Sequence, residues 1–201
     1  MLGSNARSQK VTFDEKIMRI AYVLYNELTL LDFVGFYDPV SRLRSLGHLP
    51  NLSWELCATH ARVIDNHGTV LHIDRIQPDL SDYDVVYVPG GFGSRALLTD
   101  VGFLDWLRTA AGVPRLVSVC TGSLLLGAAG LLQGRRATTH FNEYDRLAPY
   151  VAEVVREELV HDGPVLTGGA VAAALPLGIY LAAQLAGPEA AVAIQASMNY
   201  R

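Results

Sequence analysis

The feature that most constrains the fold is a change of residue character at Cys120. Residues 116–119 form a short run rich in valine, as expected for a strand buried on both faces. Small residues follow Cys120, and then leucine and alanine, which favour a helix. The order predicts a strand, a one-residue corner and a helix, a geometry that lifts a side chain out of the backbone. We therefore expect the Cys120 thiol to lie at a helix N-terminus, where the N–H groups and the helix dipole stabilise a reactive thiolate.

An unreactive role is the alternative for any free cysteine. Cysteine is among the most buried residue types and usually behaves as a small hydrophobe. Cys57, within the apolar segment 52–58, fits that description. The strand-to-helix corner and the small flanking residues favour a catalytic role for Cys120.

Predicted strands alternate with predicted helices along the chain. Strands are predicted near 17–25, 52–58, 84–88, 116–119, 136–139 and 165–167, with hairpins over 62–73 and around 162–163. Helices are predicted at 31–46, 96–98, 103–111 and 143–147, after Cys120, and twice at the end of the chain. This alternation predicts an α/β fold with a mainly parallel sheet covered on both faces. We expect a disordered N-terminal extension at 1–15 and a single domain over 16–201.

Three residues could assist the cysteine. Asp32 follows the first strand and could supply a carboxylate, although aspartate at a helix start is more often an N-cap. The Thr121 hydroxyl could point toward the thiol or make only a local hydrogen bond. His140 ends a predicted strand, which would bring it to the site, and a structural hydrogen-bonded role is its alternative.

A glycine-rich loop follows the strand at 84–88. Gly90, Gly91 and Gly93 allow close approach of the backbone, so their N–H groups could form an oxyanion-type site with Phe92 and with Gly122 after the cysteine. A plain strand-to-helix turn uses the same residues, so the signal is weak. The loop lacks the spacing of a dinucleotide fingerprint and the lysine of a P-loop, and we expect no nucleotide cofactor.

Composition excludes several classes of function. The net charge of −4 gives no basic face for nucleic acid. The two cysteines lie far apart in sequence and show no zinc-ligand spacing, so we expect no disulfide framework, no metal and a reducing, cytoplasmic location. The sequence contains no run of about twenty apolar residues, so we expect no membrane-spanning helix.

Four segments together resemble the DJ-1/PfpI superfamily, with its class I glutamine amidotransferase-like fold. They are residues 31–35, 88–93, 118–123 and 134–140. Within the superfamily the pattern is most similar to the bacterial isonitrile hydratases. The resemblance implies a flavodoxin-like three-layer sandwich, usually a homodimer, with a cysteine nucleophile elbow. It also implies addition of water to a small-molecule isonitrile, giving an N-substituted formamide, without a cofactor.

The resemblance assigns roles position by position. The family nucleophile falls on Cys120, its carboxylate on Asp32 and its neighbouring threonine on Thr121. Many superfamily members have histidine where Thr121 stands and glutamate where Asp32 stands, so Thr121 and Asp32 together favour the hydratase branch. The hydratase pattern has threonine and aspartate where this chain has Ala172 and Pro176, which weakens the substrate assignment. Three alternatives stay open: a cysteine hydrolase or glyoxalase-type enzyme, a ligand-sensing domain such as those of AraC-type regulators, and a redox sensor that uses the Cys120 thiol.

Overall fold

A computed structural model describes residues 17–200. The strands within that range are β1 (Arg19–Val23), β2 (Ser53–Ala58), β3 (Arg62–Ile64), β4 (Val70–His72), β5 (Arg75–Ile76), β6 (Val85–Val88), β7 (Arg115–Val119), β8 (Arg136–Ala137), β9 (Glu153–Val154), β10 (Leu159–Asp162) and β11 (Val165–Gly168). The α-helices are α1 (Leu30–Ser45), α2 (Ser94–Leu97), α3 (Val101–Arg108), α4 (Gly122–Ala128), α5 (Tyr144–Leu147), α6 (Ala174–Ala186) and α7 (Pro188–Met198). The extension predicted to be disordered, 1–15, lies outside the described residues.

The central sheet has seven strands in the order β10-β11-β7-β6-β1-β2-β5. Neighbouring strands are parallel except β10, which pairs antiparallel with β11 through the predicted hairpin. The hairpin predicted over 62–73 is the antiparallel pair β3 and β4. The expected mainly parallel sheet is confirmed.

Helices cover both faces of this sheet. On one side α1 packs against α6 and α7, and on the other α4 packs with α2, α3 and α5. Helices α1 and α6 approach each other closely at Gly178 of α6, where a Cβ atom would lie 2.8 Å from the carbonyl oxygen of Phe36 in α1. The arrangement is the three-layer, flavodoxin-like sandwich that the sequence predicts.

The middle strands have almost no exposed side chains. All residues of β6 are buried, as are the last four residues of β1 and of β7. Apolar side chains on both faces are what a parallel sheet between two helical layers requires, and each fully buried valine or leucine contributes about 1.5–3 kcal/mol. This core fixes the positions of the loops that follow the strands.

The strand predicted at 136–139 is shorter than expected. β8 ends at Ala137, because the Thr138 N–H donates to the Thr167 hydroxyl at 2.9 Å and not to the backbone of a neighbouring strand. The Thr138 hydroxyl donates to the Glu157 carbonyl at 3.1 Å and the Thr139 hydroxyl to the Cys120 carbonyl at 2.8 Å. The two-residue strands β5 and β9 were not predicted, since so short a segment carries no periodicity.

Candidate active site

Adjacent parallel strands bring the candidate residues to one edge of the sheet. Asp32 lies in α1 after β1, Gly90 lies just beyond β6, and Cys120 directly follows β7. The three strands are neighbours, so their carboxyl ends open into a common pocket of about 290 Å³. The residues that line this pocket are Thr29, Gly91, Phe92, Arg95, Cys120, Thr121, His140, Asn142, Glu143 and Val171.

Cys120 occupies the predicted corner between β7 and α4. Its φ angle is +54°, in the left-handed region that residues other than glycine rarely adopt. Hydrogen bonds on both sides hold this conformation. The Cys120 N–H donates to the Gly169 carbonyl at 2.7 Å, and the Cys120 carbonyl accepts from the hydroxyls of Thr139 and Ser123. The residue is 6 % exposed and lines the pocket.

Asp32 is fully buried beside this thiol. Its Oδ2 atom accepts a hydrogen bond from the Gly90 N–H at 2.9 Å, and the Cys120 thiol lies within hydrogen-bonding reach of the same carboxyl. The buried Oδ1 atom has no hydrogen-bond partner among residues 17–200. The N-cap alternative is wrong, because the cap residue of α1 is Thr29 and the Asp32 side chain bonds to a loop from another strand. The Tyr87 hydroxyl, which donates to the Asp32 carbonyl at 2.6 Å, fixes this turn of α1.

Gly90 is required for this contact. A Cβ atom at Gly90 would lie 2.6 Å from Oδ2 of Asp32 and 2.7 Å from both Cβ of Cys120 and the backbone nitrogen of Thr121. Any side chain would therefore push the carboxyl and the thiol apart.

Burial raises both acidic pKa values. Burial raises the pKa of Asp32 from its ordinary 3.8 to about 6, against hydrogen bonds from Gly90 and Cys120 that lower it. Burial is the largest cause that raises the pKa of the Cys120 thiol, to about 12, and the nearby Asp32 charge is the second. Hydrogen bonds from the N–H and the hydroxyl of Thr121 lower this pKa in part. Both shifts disfavour the resting thiolate that the sequence predicts, and they favour a thiol beside a carboxylate that can act as its base.

The glycine loop uses its N–H groups on protein atoms. The Gly90 N–H binds Asp32, and the Gly91 N–H donates to Oγ1 of Thr121 at 2.9 Å. The prediction that these two groups face a ligand is therefore wrong. They instead position the carboxyl and the hydroxyl that flank the thiol.

The other predicted loop residues divide into lining and packing positions. Phe92 lines the pocket and is 65 % exposed. Gly93 and Gly122 lie outside the lining. A Cβ atom on Gly93 would lie 1.9 Å from the Asn26 carbonyl oxygen, and one on Gly122 would lie 2.2 Å from the Val88 carbonyl oxygen. Both glycines therefore allow close backbone packing.

His140 has both of the roles weighed for it. It lines the pocket, and its Nδ1 atom accepts a hydrogen bond from the Asn142 N–H at 3.2 Å. Its ring stacks on Phe141 with the centroids 4.2 Å apart. The histidine is therefore a structural cap that also contributes to the pocket wall.

The sequence analysis missed the charged rim of the pocket. Arg95 donates to Oε1 of Glu143 at 2.6 Å and lies over the Phe92 ring, 5.1 Å from its centroid. Glu143 also pairs with Arg146 at 3.1 Å. The one available signal was that Arg95 lies two residues after Gly93 of the glycine loop. Its partner, Glu143, is distant in sequence, so the pair could not be predicted.

Of the two departures from the hydratase pattern, Ala172 directly follows a residue that lines the pocket. Ala172 is in the 3-10 turn Val171–Ala173, whose first residue lines the pocket, and Pro176 is in the first turn of α6. In the part of the chain that the structure describes, no three His, Cys, Asp or Glu side chains cluster to hold a metal ion. None of the helices in that part combines the length and apolarity needed to cross a membrane.

Comparison with known proteins gives one family. The sequence model described as the DJ-1/PfpI family matches residues 19–184. The chain is 37 % identical over 184 residues to an isonitrile hydratase of Pseudomonas putida, covering 91 % of this chain and 78 % of that protein. It is 31 % identical over 178 residues to the HTH-type transcriptional regulator CdhR of Pseudomonas aeruginosa, covering 86 % of this chain and about half, 52 %, of the regulator.

Solved structures agree on the fold. A ThiJ/PfpI family protein from Pseudomonas syringae superposes with a TM-score of 0.83 at 30 % identity, over 91 % of this chain and 75 % of the other. DJ-1beta of Drosophila melanogaster superposes with a TM-score of 0.79 at 18 % identity, over 92 % and 98 % of the two chains. The second likeness concerns the fold alone.

Proposed function

The chain belongs to the DJ-1/PfpI family, and from this premise we propose that it is an isonitrile hydratase, which adds water to an isonitrile to give an N-substituted formamide. The observation that carries the proposal is the buried contact of the Asp32 carboxyl with the Cys120 thiol at the pocket, beside Thr121. The terminal carbon of an isonitrile must receive a nucleophile and a proton at the same atom. A thiol and a carboxylate in contact supply both.

The first half of the reaction forms a thioimidate. The Asp32 carboxylate takes the thiol proton as the Cys120 sulfur bonds to the terminal carbon. The resulting carboxylic acid then protonates that carbon, which now lies beside it, and the carbon–nitrogen triple bond becomes a double bond. The hydroxyl of the neighbouring Thr121 stabilises the negative charge that develops on the sulfur.

The second half releases the product. Asp32 accepts one proton from water as the water oxygen bonds to the thioimidate carbon, and that proton passes to the substrate nitrogen. The carbon–sulfur bond then breaks, and the remaining proton of the new hydroxyl group returns to sulfur. The products are the formamide and the Cys120 thiol, so each turnover consumes one water and restores the site.

The test is incubation with cyclohexyl isonitrile while the formamide is followed by chromatography. Wild-type protein should form it, Cys120→Ala should not, and Asp32→Asn should lose most of the activity. Cys57→Ala is the matched control, because Cys57 is the other buried free cysteine and is not among the residues that line the pocket. An active Cys120→Ala variant would refute the mechanism, and an inactive wild type would favour a cysteine hydrolase or glyoxalase-type activity instead.

A small-molecule-sensing domain is the second candidate. It is supported by the similarity to about half of a transcriptional regulator. In that case an isonitrile or another small ligand would stabilise the protein against heat without being consumed. Ligand-induced stabilisation that survives in Cys120→Ala, with no turnover in wild type, would favour the sensor.

The assembly and the location of the protein are also proposed. A homodimer in the cytoplasm fits the family, two free cysteines fit a reducing compartment, and Leu31 and Val34 expose apolar surface on α1. Light scattering during size-exclusion chromatography tests the dimer: a mass near 44 kDa, twice the 21.8 kDa of the chain, is expected, and a mass near 22 kDa would refute it.

A further inference from the structure

Polar side chains form much of the wall of the candidate pocket. The lining includes Arg95, His140 and Glu143, and its large apolar side chains are Phe92 and Val171. A substrate with a purely hydrocarbon substituent would take water away from these polar groups without replacing its hydrogen bonds, which costs free energy. The proposed mechanism gives none of the three a role. The wall therefore suits a substituent that forms hydrogen bonds.

The charge that this wall offers a ligand is positive. The Glu143 carboxylate lies between two arginines, 2.6 Å from Arg95 and 3.1 Å from Arg146. Two cations and one anion leave the cluster with a surplus of positive charge. The Arg95 side chain is 38 % exposed and that of Glu143 only 11 %, so a ligand meets the guanidinium before the carboxylate. Asp32 is fully buried and is not among the lining residues.

The Arg95 guanidinium keeps donors for a ligand. One N–H donates to the Gly91 carbonyl at 3.2 Å and another to Glu143. A guanidinium has five N–H donors, so most of them are not used in these two contacts. The same contacts, with the Phe92 ring 5.1 Å from the guanidinium carbon, hold the group in place. A fixed guanidinium with unused donors is suited to bind a carboxylate.

His140 supplies a second donor at the pocket wall. Its Nδ1 atom accepts a hydrogen bond from the Asn142 N–H at 3.2 Å, so that nitrogen carries no proton. The ring proton is therefore on Nε2, which makes Nε2 a donor. Stacking on Phe141 holds the ring in this orientation.

We propose that the substrate is an isonitrile that carries a carboxylate, and that Arg95 binds this carboxylate with His140 as a second donor. The isonitrile part rests on the proposed function, and the carboxylate part rests on the arginine cluster. Phe92, over which Arg95 lies, covers the carbon chain between the two groups. Isocyanoacetate, with one carbon between the isonitrile nitrogen and the carboxylate, is the simplest member of this class.

The first test measures charge selection at Cys120 and needs no isonitrile. Full-length protein is alkylated with iodoacetate or with iodoacetamide, which differ in charge but little in size. The modified Cys120 peptide is quantified by mass spectrometry, and the iodoacetate rate is divided by the iodoacetamide rate. Arg95→Gln should lower this ratio about three- to fivefold, the size expected for one partly exposed charge pair.

Glu143→Gln separates recognition of charge from loss of an ion pair. It breaks the same contact as Arg95→Gln, but it removes the negative charge and keeps the guanidinium, so the ratio should rise about two- to fivefold. Arg42→Gln is the matched control. Arg42 is ion-paired with Asp38, its side chain is 32 % exposed, and it does not line the pocket. It should leave the ratio unchanged.

The second test uses two isonitriles that differ in charge. Wild-type protein should have a higher kcat/KM for isocyanoacetate than for its uncharged ester, methyl isocyanoacetate. Arg95→Gln should reduce this preference about three- to fivefold, mainly through a higher KM for isocyanoacetate.

Several results would overturn the proposal. Alkylation ratios that move in the same direction in Arg95→Gln and Glu143→Gln, or no further than in Arg42→Gln, would remove the role of Arg95. Faster hydration of the ester than of isocyanoacetate would remove the substrate class. If the alkylation ratios shift as expected but neither isonitrile is hydrated, the pocket selects anions and the proposed hydratase reaction is the part that fails. If Arg95→Gln does not fold, the rise expected for Glu143→Gln decides alone.

Discussion

The Asp32 carboxyl and the Cys120 thiol lie side by side in a buried site, and burial raises the pKa of both groups. They are distant in sequence and come from the ends of β1 and β7, with the Gly90 backbone between them. Burial raises both pKa values, and because the rise for sulfur carries its pKa to about 12, the proton stays there until a reaction draws it off. We therefore expect the proposed chemistry to depend on the carboxylate as base rather than on a preformed thiolate.

Replacing Asp32 by asparagine should stabilise the fold while it removes the base. A carboxyl whose pKa rises from 3.8 to about 6 on folding binds its proton more tightly in the folded state. Its contribution to stability is thus complete below pH 4, is lost as the pH rises toward 6, and stays lost above. At pH 7 the free energy of unfolding of the Asp32→Asn variant should be about 1–3 kcal/mol higher than that of the wild type. At pH 4 the difference should be much smaller.

Urea unfolding of the two proteins across that pH range measures this difference. Asp38→Asn is the control, because Asp38 is an exposed residue of the same helix paired with Arg42. Its effect should stay within about 0.5 kcal/mol at each pH. An Asp32→Asn variant that is less stable than wild type at pH 7 would contradict a buried carboxylate.

Hydration should depend on pH through Asp32. Below pH 6 the carboxyl is protonated and cannot accept the thiol proton, so kcat/KM for cyclohexyl isonitrile should fall about tenfold per pH unit. Above pH 7 the rate should be level, since Asp32 is then fully ionised. Initial rates corrected for uncatalysed acid hydrolysis provide the profile. A rate that still climbs between pH 7 and 9 would mean that thiol ionisation controls the reaction.

Gly90→Ala should separate the reacting groups. The new Cβ would lie within 2.7 Å of atoms of Asp32, Cys120 and Thr121, so the backbone or the carboxyl must shift. We expect kcat to fall about a hundredfold and stability to fall by about 1–3 kcal/mol. Activity and thermal unfolding are measured together.

Gly102→Ala in α3 is the matched control for that substitution. The nearest atom to a Cβ at Gly102 is an Asp100 oxygen at 3.5 Å, an ordinary contact. Alanine should raise helix stability by up to about 1 kcal/mol and leave kcat unchanged. Equal activity of the Gly90 and Gly102 variants would show that the carboxyl–thiol contact is not needed.

Phe92→Ala should weaken substrate binding more than chemistry. Phe92 is 65 % exposed and lines the pocket, so its ring has surface to cover with an apolar substrate group. KM for cyclohexyl isonitrile should rise about three- to tenfold with kcat little changed. Phe141→Ala, at a ring of similar exposure outside the pocket lining, should change KM by less. Equal effects would assign the change to the surface in general.

The sequence by itself determined the fold class, the loops that carry the candidate site and the corner at Cys120. These follow from local patterns: a buried run of valines, a switch to small residues, and the alternation of strand and helix signals. Parallel strands place their carboxyl ends at one edge, which is why Asp32, Gly90 and Cys120 could be expected together.

Tertiary structure alone decided how those residues are used. The raised pKa values of Asp32 and Cys120 depend on burial, and the loop N–H groups are engaged by side chains from α1 and from the corner. The Arg95–Glu143 pair joins residues 48 positions apart. Burial, protonation and hydrogen-bond partners depend on distances between segments remote along the chain, and residue patterns within one segment do not contain those distances.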